Sequence, residues 1–114
     1  MPFINSKVSV TITGEQEKEL KAGLGRAIAV LPGKSETWLM TGFEDNCRLY
    51  FRGDNSQPTA FVEVSVYGAP DSGAFSDLTG EITKLFGKVL GIAPDRIYVK
   101  YSATQDWGWN GMNF

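Results

Sequence analysis

Few residues in this sequence could carry acid–base chemistry, and the first of them stands at the amino end. There is no histidine among the 114 residues, and Cys47 is the one cysteine. A histidine base, a Ser-His-Asp or Cys-His arrangement, an intrachain disulfide and a multi-thiolate zinc site are therefore excluded. Removal of Met1, which is usual before a small residue, would leave Pro2 with a free secondary amine. Such an amine can act as a base.

A proline amine is a useful base at neutral pH only if its pKa is lowered. An exposed α-amino group titrates near pH 8, and a proline nitrogen is somewhat more basic. An apolar pocket at the end of a strand penalises the charged form, and a neighbouring lysine penalises it further. We therefore expect Pro2 to function only if the fold places it in such surroundings. The alternative is that a proline in second position has no role.

Composition indicates one compact domain, residues 1–114. The chain is 42% hydrophobic and 21% charged, which is ordinary for a globular protein. Eleven basic against 13 acidic residues give a net charge of −2 without a basic run, so nucleic acid is not an expected partner. No apolar window is long enough to span a membrane, and the polar residues Asn5, Ser6 and Lys7 argue against a signal peptide. A cytoplasmic location is expected, with non-classical secretion left open.

The first half of the chain predicts strand, helix and strand. Alternation predicts a strand over Phe3–Val10. Thr13 followed by Gln16 resembles a capping box, and Pro32-Gly33 ends the helix. The apolar run Thr37–Thr41 predicts a second strand. The residues on one face of the helix are Leu20, Leu24, Ala27, Ile28 and Leu31.

The second half repeats this order. Ala60–Tyr67 alternates and predicts a strand, a helix begins near Ser76 and ends at Gly91, and Asp95–Tyr101 predicts another strand. Cys47–Phe51 and the tail are expected to add short strands. The apolar face of this second helix consists of Leu78, Ile82, Leu85, Phe86, Val89 and Leu90.

The two halves, about residues 2–57 and 58–114, match as a tandem βαβ duplication. Right-handed crossovers predict an α+β fold with a ferredoxin-like split, in which two helices lie on one face of a four-stranded mixed sheet. The other face would expose Trp38, Met40 and Tyr98. Monomers seldom expose a large apolar patch, so we expect self-association into a closed ring.

Four segments, in this order along the whole chain, resemble the macrophage migration inhibitory factor family of the tautomerase superfamily. They are Pro2 at the first strand, Gly33-Lys34 after the first helix, Pro94–Val99 after the second helix, and Gly108-Trp109-Asn110 in the tail. The resemblance implies a homotrimer with active sites between subunits and no cofactor. It implies keto–enol tautomerisation of phenylpyruvate-like acids and dopachrome-type compounds, with a small aromatic keto acid as substrate.

The same resemblance implies roles for individual residues. Pro2 would be the catalytic base, and Lys34 would hold the substrate carboxylate. The backbone of Tyr67 would contact substrate, where the family usually has isoleucine. Tyr98 would come from the neighbouring subunit, and Trp109 and Phe114 would form an apolar wall.

Two departures from the family pattern bear on the pocket. Lys100 stands where an asparagine often binds substrate, and Trp107 stands where a smaller aliphatic residue is usual. Lys100 would add a second cation that tightens carboxylate binding, whereas Trp107 and Tyr67 would narrow the entrance. The alternative function is a cytokine-like or protein-binding module with weak or vestigial activity, whose partner would be a receptor protein. An unrelated ferredoxin-like domain is a further alternative.

Overall fold

A computed structural model describes every residue from Met1 to Phe114. In chain order its strands and helices are β1 Pro2–Val8, α1 Gly14–Ala27, β2 Met40–Glu44, β3 Ala60–Tyr67, α2 Ser72–Leu90, β4 Ile97–Thr104, β5 Gly108–Trp109 and β6 Met112–Asn113. Single 3-10 turns cover Ile28–Val30, Glu36–Trp38 and Pro94–Arg96. Each half of the chain therefore has the strand–helix–strand order that the sequence predicts.

The main sheet has the strand order β2-β1-β3-β4. The two outer pairs, β1 with β2 and β3 with β4, are parallel, and the central pair of β1 with β3 is antiparallel. Parallel strands within each half require a helical crossover, and antiparallel strands join the halves. This is the duplicated βαβ arrangement with a mixed four-stranded sheet, and it confirms the α+β fold class.

The hydrophobic core lies between the sheet and both helices. Every second residue of β1 and of β3 is buried, so one face of the sheet is covered. The predicted apolar face of α1 is also buried, while that of α2 is buried at Leu78, Ile82 and Phe86 and half-buried elsewhere. The two helices pack against each other as well as on the sheet. Neither of them is both long and apolar enough to cross a membrane.

Local capping sets the helix ends. The Thr13 hydroxyl accepts from the Gln16 amide at 3.2 Å and the Gln16 side chain accepts from the Thr13 amide at 2.9 Å, which confirms the capping box. Gly91 ends α2 in the left-handed conformation with a φ of 69°. The start of α2 was wrongly placed near Ser76. The Asp71 carboxylate accepts from the Ala74 amide at 2.8 Å, and this N-cap starts the helix at Ser72.

The strand predicted over Thr37–Thr41 is wrong in its first part. The Trp38 amide donates to the Ser35 carbonyl at 3.3 Å and the Leu39 amide donates to the Glu36 carbonyl at 3.1 Å. These local bonds form a 3-10 turn. The strand begins only at Met40, which pairs with Phe3 of β1.

The short strand predicted at Cys47–Phe51 is also wrong. The Cys47 amide donates to the Val8 carbonyl at 2.9 Å, and Phe51 bridges only Asp54 across a turn. The segment has no neighbouring strand along its length and stays a loop. The tail does form two short strands, β5 and β6, which pair with each other.

Two further strand boundaries differ from the prediction. The first strand runs from Pro2 to Val8 instead of reaching Val10, because the Thr59 amide donates to the Ser9 hydroxyl at 2.9 Å and not to the Ser9 carbonyl, which ends the ladder. The last strand begins at Ile97 instead of Asp95, because Pro94–Arg96 forms a 3-10 turn, and it continues to Thr104.

The second face of the sheet is uncovered in the single chain. Met40 and Tyr98 are 68% and 58% exposed, as predicted for this face. Trp38 is 46% exposed, but it belongs to the turn at the end of the sheet. The centre of the open face is polar, since Asn5 pairs with Glu63 and Glu63 pairs with Lys100. What covers this face stays a prediction.

Candidate functional site

Three segments meet where β1 begins and β3 ends. Pro2 pairs with Val66, and the next residue, Tyr67, contacts both other segments. The Tyr67 amide donates to the Met1 carbonyl at 3.1 Å, and the Tyr67 carbonyl accepts from the Lys34 ammonium at 2.8 Å. The Met1 carbonyl oxygen is two bonds from the Pro2 nitrogen. The Pro2 nitrogen therefore lies near the amide of Tyr67, and the Lys34 ammonium lies at its carbonyl.

The end of α1 carries Lys34 to this place. The helix continues as a 3-10 turn over Ile28–Val30, after which Pro32 prevents further helix. Gly33 has a φ of 77°, a conformation that favours glycine, and the Lys34 amide donates to the Leu31 carbonyl at 3.0 Å. This tight turn reverses the chain, and the half-buried Lys34 side chain reaches the end of β3.

Aromatic rings form a wall beside the amino end. Trp38 meets Trp109 edge to face at 5.1 Å between ring centroids, and Trp109 stacks with Phe114 at 6.4 Å. Phe114 also contacts the Tyr67 ring at 5.1 Å. A cavity of about 240 Å³ lies here, lined by Met1, Gly33, Trp38, Tyr67 and Phe114.

Tyr67 also lines a second, more polar cavity. Its volume is about 340 Å³, and Lys34 and Asp71 supply charge to its lining. Tyr67 is common to this cavity and to the aromatic one. One cavity is therefore lined by charged side chains and the other by aromatic rings, and Tyr67 lines both.

A tight hairpin holds the tail in position. Asn110 and Gly111 have φ values of 54° and 82°, the two positive values that a type I′ turn requires. They join β5 to β6, and the Phe114 amide then donates to the Trp107 carbonyl at 3.1 Å. The Asn-Gly pair thereby returns Phe114 to the cavity.

The amino group at this end of the sheet has a lowered pKa. The larger cause is burial, which removes water from the charged form, and the smaller cause is the positive charge of Lys34. In this chain the group is the Met1 amine. After loss of Met1 the amine is the Pro2 nitrogen, one residue further along a buried strand end.

Five of the eight predicted site residues meet at this end of the sheet, namely Pro2, Lys34, Tyr67, Trp109 and Phe114. Trp107 is half-buried in the segment before β5 and contributes its carbonyl to Phe114.

Tyr98 and Lys100 do not join the other site residues within the chain. Pro2 aligns through Val66 with Ala103 of β4, and Tyr98 lies five residues along the strand from Ala103, roughly 16 Å away. Lys100 lies three residues from Ala103, roughly 10 Å along the same strand. Neither side chain can serve the Pro2 of its own chain.

Sequence reasoning missed Trp38 as a site residue. The run Thr37–Thr41 suggested a strand, which would have directed this ring onto the open face. The available signal was Ser35-Glu36, because a serine followed by an acidic residue is typical of the start of a helical turn. No group of three or more histidine, cysteine, aspartate or glutamate side chains could hold a metal ion.

Comparison with solved structures identifies the family. No protein-family model matches the chain, and no curated protein matches it. The chain is 35% identical to MIF2 of Leishmania major, with coverage of 100% of this chain and 97% of that chain and a TM-score of 0.92. The chain belongs to the macrophage migration inhibitory factor family. Another member, the homologue from Prochlorococcus marinus, is 31% identical over 98% of both chains, with a TM-score of 0.87.

The fold extends to a more distant solved structure. That of Pt0534 inactivated by 2-oxo-3-pentynoate has a TM-score of 0.87 over 97% of this chain and 94% of that chain, at 13% identity. A likeness at that identity concerns the fold alone. Membership of the macrophage migration inhibitory factor family confirms the resemblance that the four sequence segments indicated.

Proposed function

We propose that this chain is a keto–enol tautomerase for 2-keto acids of the phenylpyruvate type, with Pro2 as the base after removal of Met1. The observation that carries the proposal is the position of Pro2, which is buried at the start of β1 beside the Met1 amine, whose own pKa is lowered by burial and by the charge of Lys34. A lowered pKa leaves a larger neutral fraction of the amine at cellular pH. A base whose pKa is close to the working pH transfers protons most effectively.

The reaction needs only one positioned base. The neutral Pro2 nitrogen takes a proton from the carbon beside the ketone, and the electrons of that C–H bond form the C=C bond of the enolate. The carbonyl π electrons move onto oxygen, which then receives the proton back from the nitrogen. Atoms and charge balance without a cofactor. Negative charge on oxygen grows in the transition state, and nearby cations and N–H donors stabilise it.

Lys34 and Tyr67 are suited to bind the acid end of the substrate. An ammonium group has three donors, and Lys34 uses one of them on the Tyr67 carbonyl. The others are free for a carboxylate. In the Met1-bearing chain the Tyr67 amide binds the Met1 carbonyl, and loss of Met1 frees that amide for a substrate oxygen.

The aromatic wall is suited to the other end of the substrate. The rings of Trp38, Trp109 and Phe114 contact one another in edge and stacked geometries, and a substrate ring adds to such a cluster favourably. This favours aryl keto acids such as phenylpyruvate, and dopachrome-type compounds, over small aliphatic ones.

We propose a homotrimer whose sites lie between subunits. Tyr98 lies on an uncovered sheet face at the opposite end from Pro2, and Lys100 lies near the centre of that face. In a closed ring they would enter the neighbouring site, where Lys100 would add a second cation for the carboxylate. Association would also remove the exposed Met40 and Tyr98 side chains from water.

The test is the rate of phenylpyruvate enol–keto conversion, followed by ultraviolet absorbance, on protein shown by intact mass to lack Met1. Pro2→Gly, and insertion of an alanine before Pro2 that converts the nitrogen to an amide, should each lower kcat/KM by about a hundredfold or more. Lys18→Ala, a change at an exposed helix lysine, is the control and should have no effect. Unchanged rates in both Pro2 variants would contradict the mechanism and favour a protein-binding role.

A covalent probe gives an independent result. In 2-oxo-3-pentynoate the alkyne is conjugated to a ketone, so a neutral amine can add to it, with the proton passing to the adjacent carbon. The protein without Met1 should gain the mass of one reagent molecule on Pro2 at neutral pH. Modification of lysines alone would contradict a neutral Pro2 amine.

A further inference from the structure

At the end of the sheet opposite Pro2, the Tyr98 ring packs against two other aromatic rings. Tyr98 is 58% exposed in the single chain, and exposed tyrosines usually sample several rotamers. Here the ring meets Phe51 edge to face at 5.3 Å and Phe61 at 6.5 Å, with interplanar angles of 86° and 85°. Two nearly perpendicular contacts hold a side chain whose remaining surface is free.

A tight turn fixes Phe51. The Phe51 amide donates to the Asp54 carbonyl at 2.9 Å, and the Asp54 amide donates to the Phe51 carbonyl at 3.0 Å. Between them Arg52 and Gly53 have φ values of 54° and 74°, as in a type I′ turn. Arginine is unfavourable in this conformation, so a contact elsewhere must stabilise the turn.

Arg96 supplies that contact. It is 9% exposed, and its guanidinium donates to the Thr59 hydroxyl at 2.8 Å and 3.0 Å and to the Asp54 carbonyl at 3.0 Å. It also donates to the Pro58 carbonyl at 3.3 Å and lies 3.7 Å from the Asp54 carboxylate, the only ion pair in the chain. The same guanidinium lies 5.4 Å from the centroid of the Phe51 ring.

We propose that Phe51, fixed by Arg96, is a positioning residue that orders the Tyr98 ring for substrate binding in the neighbouring subunit's site. The inference rests on the proposed function, in which Tyr98 completes that site. A ring that is ordered before substrate arrives does not lose rotamer freedom on binding. Loss of this preorganisation weakens binding by about threefold to tenfold. The chemical step, which belongs to the Pro2 nitrogen of the site that Tyr98 joins and not to the tyrosine ring, is unaffected.

The experiment is a double-mutant cycle on the protein without Met1. Phe51→Leu should raise KM for phenylpyruvate about threefold to tenfold with kcat and its pH profile unchanged. Phe51→Tyr, which keeps the ring, should restore KM. Tyr50→Leu, a change at the adjacent aromatic residue that is 66% exposed, is the matched control and should leave KM unchanged.

Coupling to Tyr98 separates positioning from a general effect on folding. Tyr98→Ala should raise KM by itself, and Phe51→Leu should have no further effect in that background. Additive effects of the two changes would overturn the inference, as would an unchanged KM in Phe51→Leu. No turnover by the protein with both residues intact would overturn the proposed function together with this inference.

If Phe51→Leu fails to fold, the order of the Tyr98 ring can still be measured in the unaltered protein. NMR coupling constants of Tyr98 in the unaltered protein should show one χ1 rotamer. Values averaged over several rotamers would overturn the inference.

Discussion

The two ends of the sheet hold positive charge in opposite ways. At one end the Arg96 guanidinium contacts a hydroxyl, three carbonyl or carboxylate groups and a ring. At the other end Lys34 has one hydrogen bond, to a carbonyl, and lies near a second basic nitrogen. Removal of a buried cation with several partners leaves those partners without donors and destabilises the fold, whereas a cation with few partners is available to a ligand. Under the proposed function, the contrast separates the end where a cation supports the fold from the end where a cation binds substrate.

A pKa is lowered at each end of the sheet, but the amine at one end becomes more neutral and the carboxyl at the other becomes more charged. Burial and the charge of Lys34 lower the pKa of the amine, which favours the neutral base. Hydrogen bonds from Ser56, and to a smaller extent Arg96, lower the pKa of the Asp54 carboxyl, which favours the charged acid. Under the proposed function, the same shift as the first, at the Pro2 nitrogen, prepares proton transfer. The second keeps the partner of Arg96 ionised.

The largest expected effect is the loss of the structural cation. Arg96→Met should lower the free energy of unfolding by about 3 kcal/mol, because Thr59, Pro58 and Asp54 lose buried donors. Arg52→Met is the matched control, since Arg52 is exposed and contacts only the Phe51 ring. Denaturant unfolding measures the difference. Equal losses of unfolding free energy in both variants would contradict a special role of the buried Arg96 in stability.

The loss of the chemical cation should change activity instead of stability. Lys34→Met should lower kcat/KM roughly ten- to a hundredfold, the cost of a charge-assisted bond to the carboxylate. Since Lys34 lowers the pKa of the amine, its removal raises that pKa, and the acid limb of the pH–rate profile moves to higher pH. Lys34→Arg should keep the limb in place. An acid limb that does not move in Lys34→Met would show that Lys34 does not act on the base.

Two turn glycines allow the same backbone change at each end. Gly111 and Gly53 have φ values of 82° and 74°, and a Cβ at either would meet no atom within 4 Å, so Gly→Ala adds only backbone strain, about 1 kcal/mol. Gly111→Ala should loosen the tail that carries Phe114 and raise KM about threefold. Gly53→Ala should loosen the Phe51 turn and also raise KM, but only while Tyr98 is present. Equal KM changes for Gly53→Ala with and without Tyr98 would contradict the coupling.

The smallest effect on activity is expected away from both ends. Thr13→Ala removes the capping bond to the Gln16 amide and should cost about 1 kcal/mol of stability. The kcat and KM for phenylpyruvate should stay unchanged. A fall in activity equal to that of Gly111→Ala would indicate that activity follows stability in general and not the tail hairpin.

Local patterns in the sequence were enough to predict the faces of the elements. Alternation placed β3 at Ala60–Tyr67 with its bounds correct, and the 3.6-residue spacing found the buried face of α1. Both signals lie within a few residues. The same holds for Thr13 with Gln16 and for Gly91, whose roles are fixed by their near neighbours.

Contacts between distant residues could not be found in this way. Lys34 reaches a carbonyl 33 residues away, and Arg96 holds a carbonyl 42 residues away. The second contact holds the turn that follows Cys47–Phe51, a segment whose alternating residues find no neighbouring strand. Trp38 was missed for a related reason, since its place depends on the packing of the tail hairpin against the turn that follows α1.

The resemblance to a family, and not spacing, gave the roles of Pro2, Lys34, Tyr67, Trp109 and Phe114. The structure brings these five together, while their parts in catalysis stay proposals. Tyr98, Lys100 and Trp107 stay predictions of the neighbouring-subunit and entrance arrangement. Sedimentation together with Tyr98→Ala kinetics tests that arrangement.

The most direct test of the account is an NMR titration of the Pro2 nitrogen, labelled with ¹⁵N, in protein shown by intact mass to lack Met1. The account predicts a midpoint below the value near 8 of an exposed α-amino group, and a rise of that midpoint in Lys34→Met. A midpoint at or above 8 that is unchanged by Lys34→Met would contradict it.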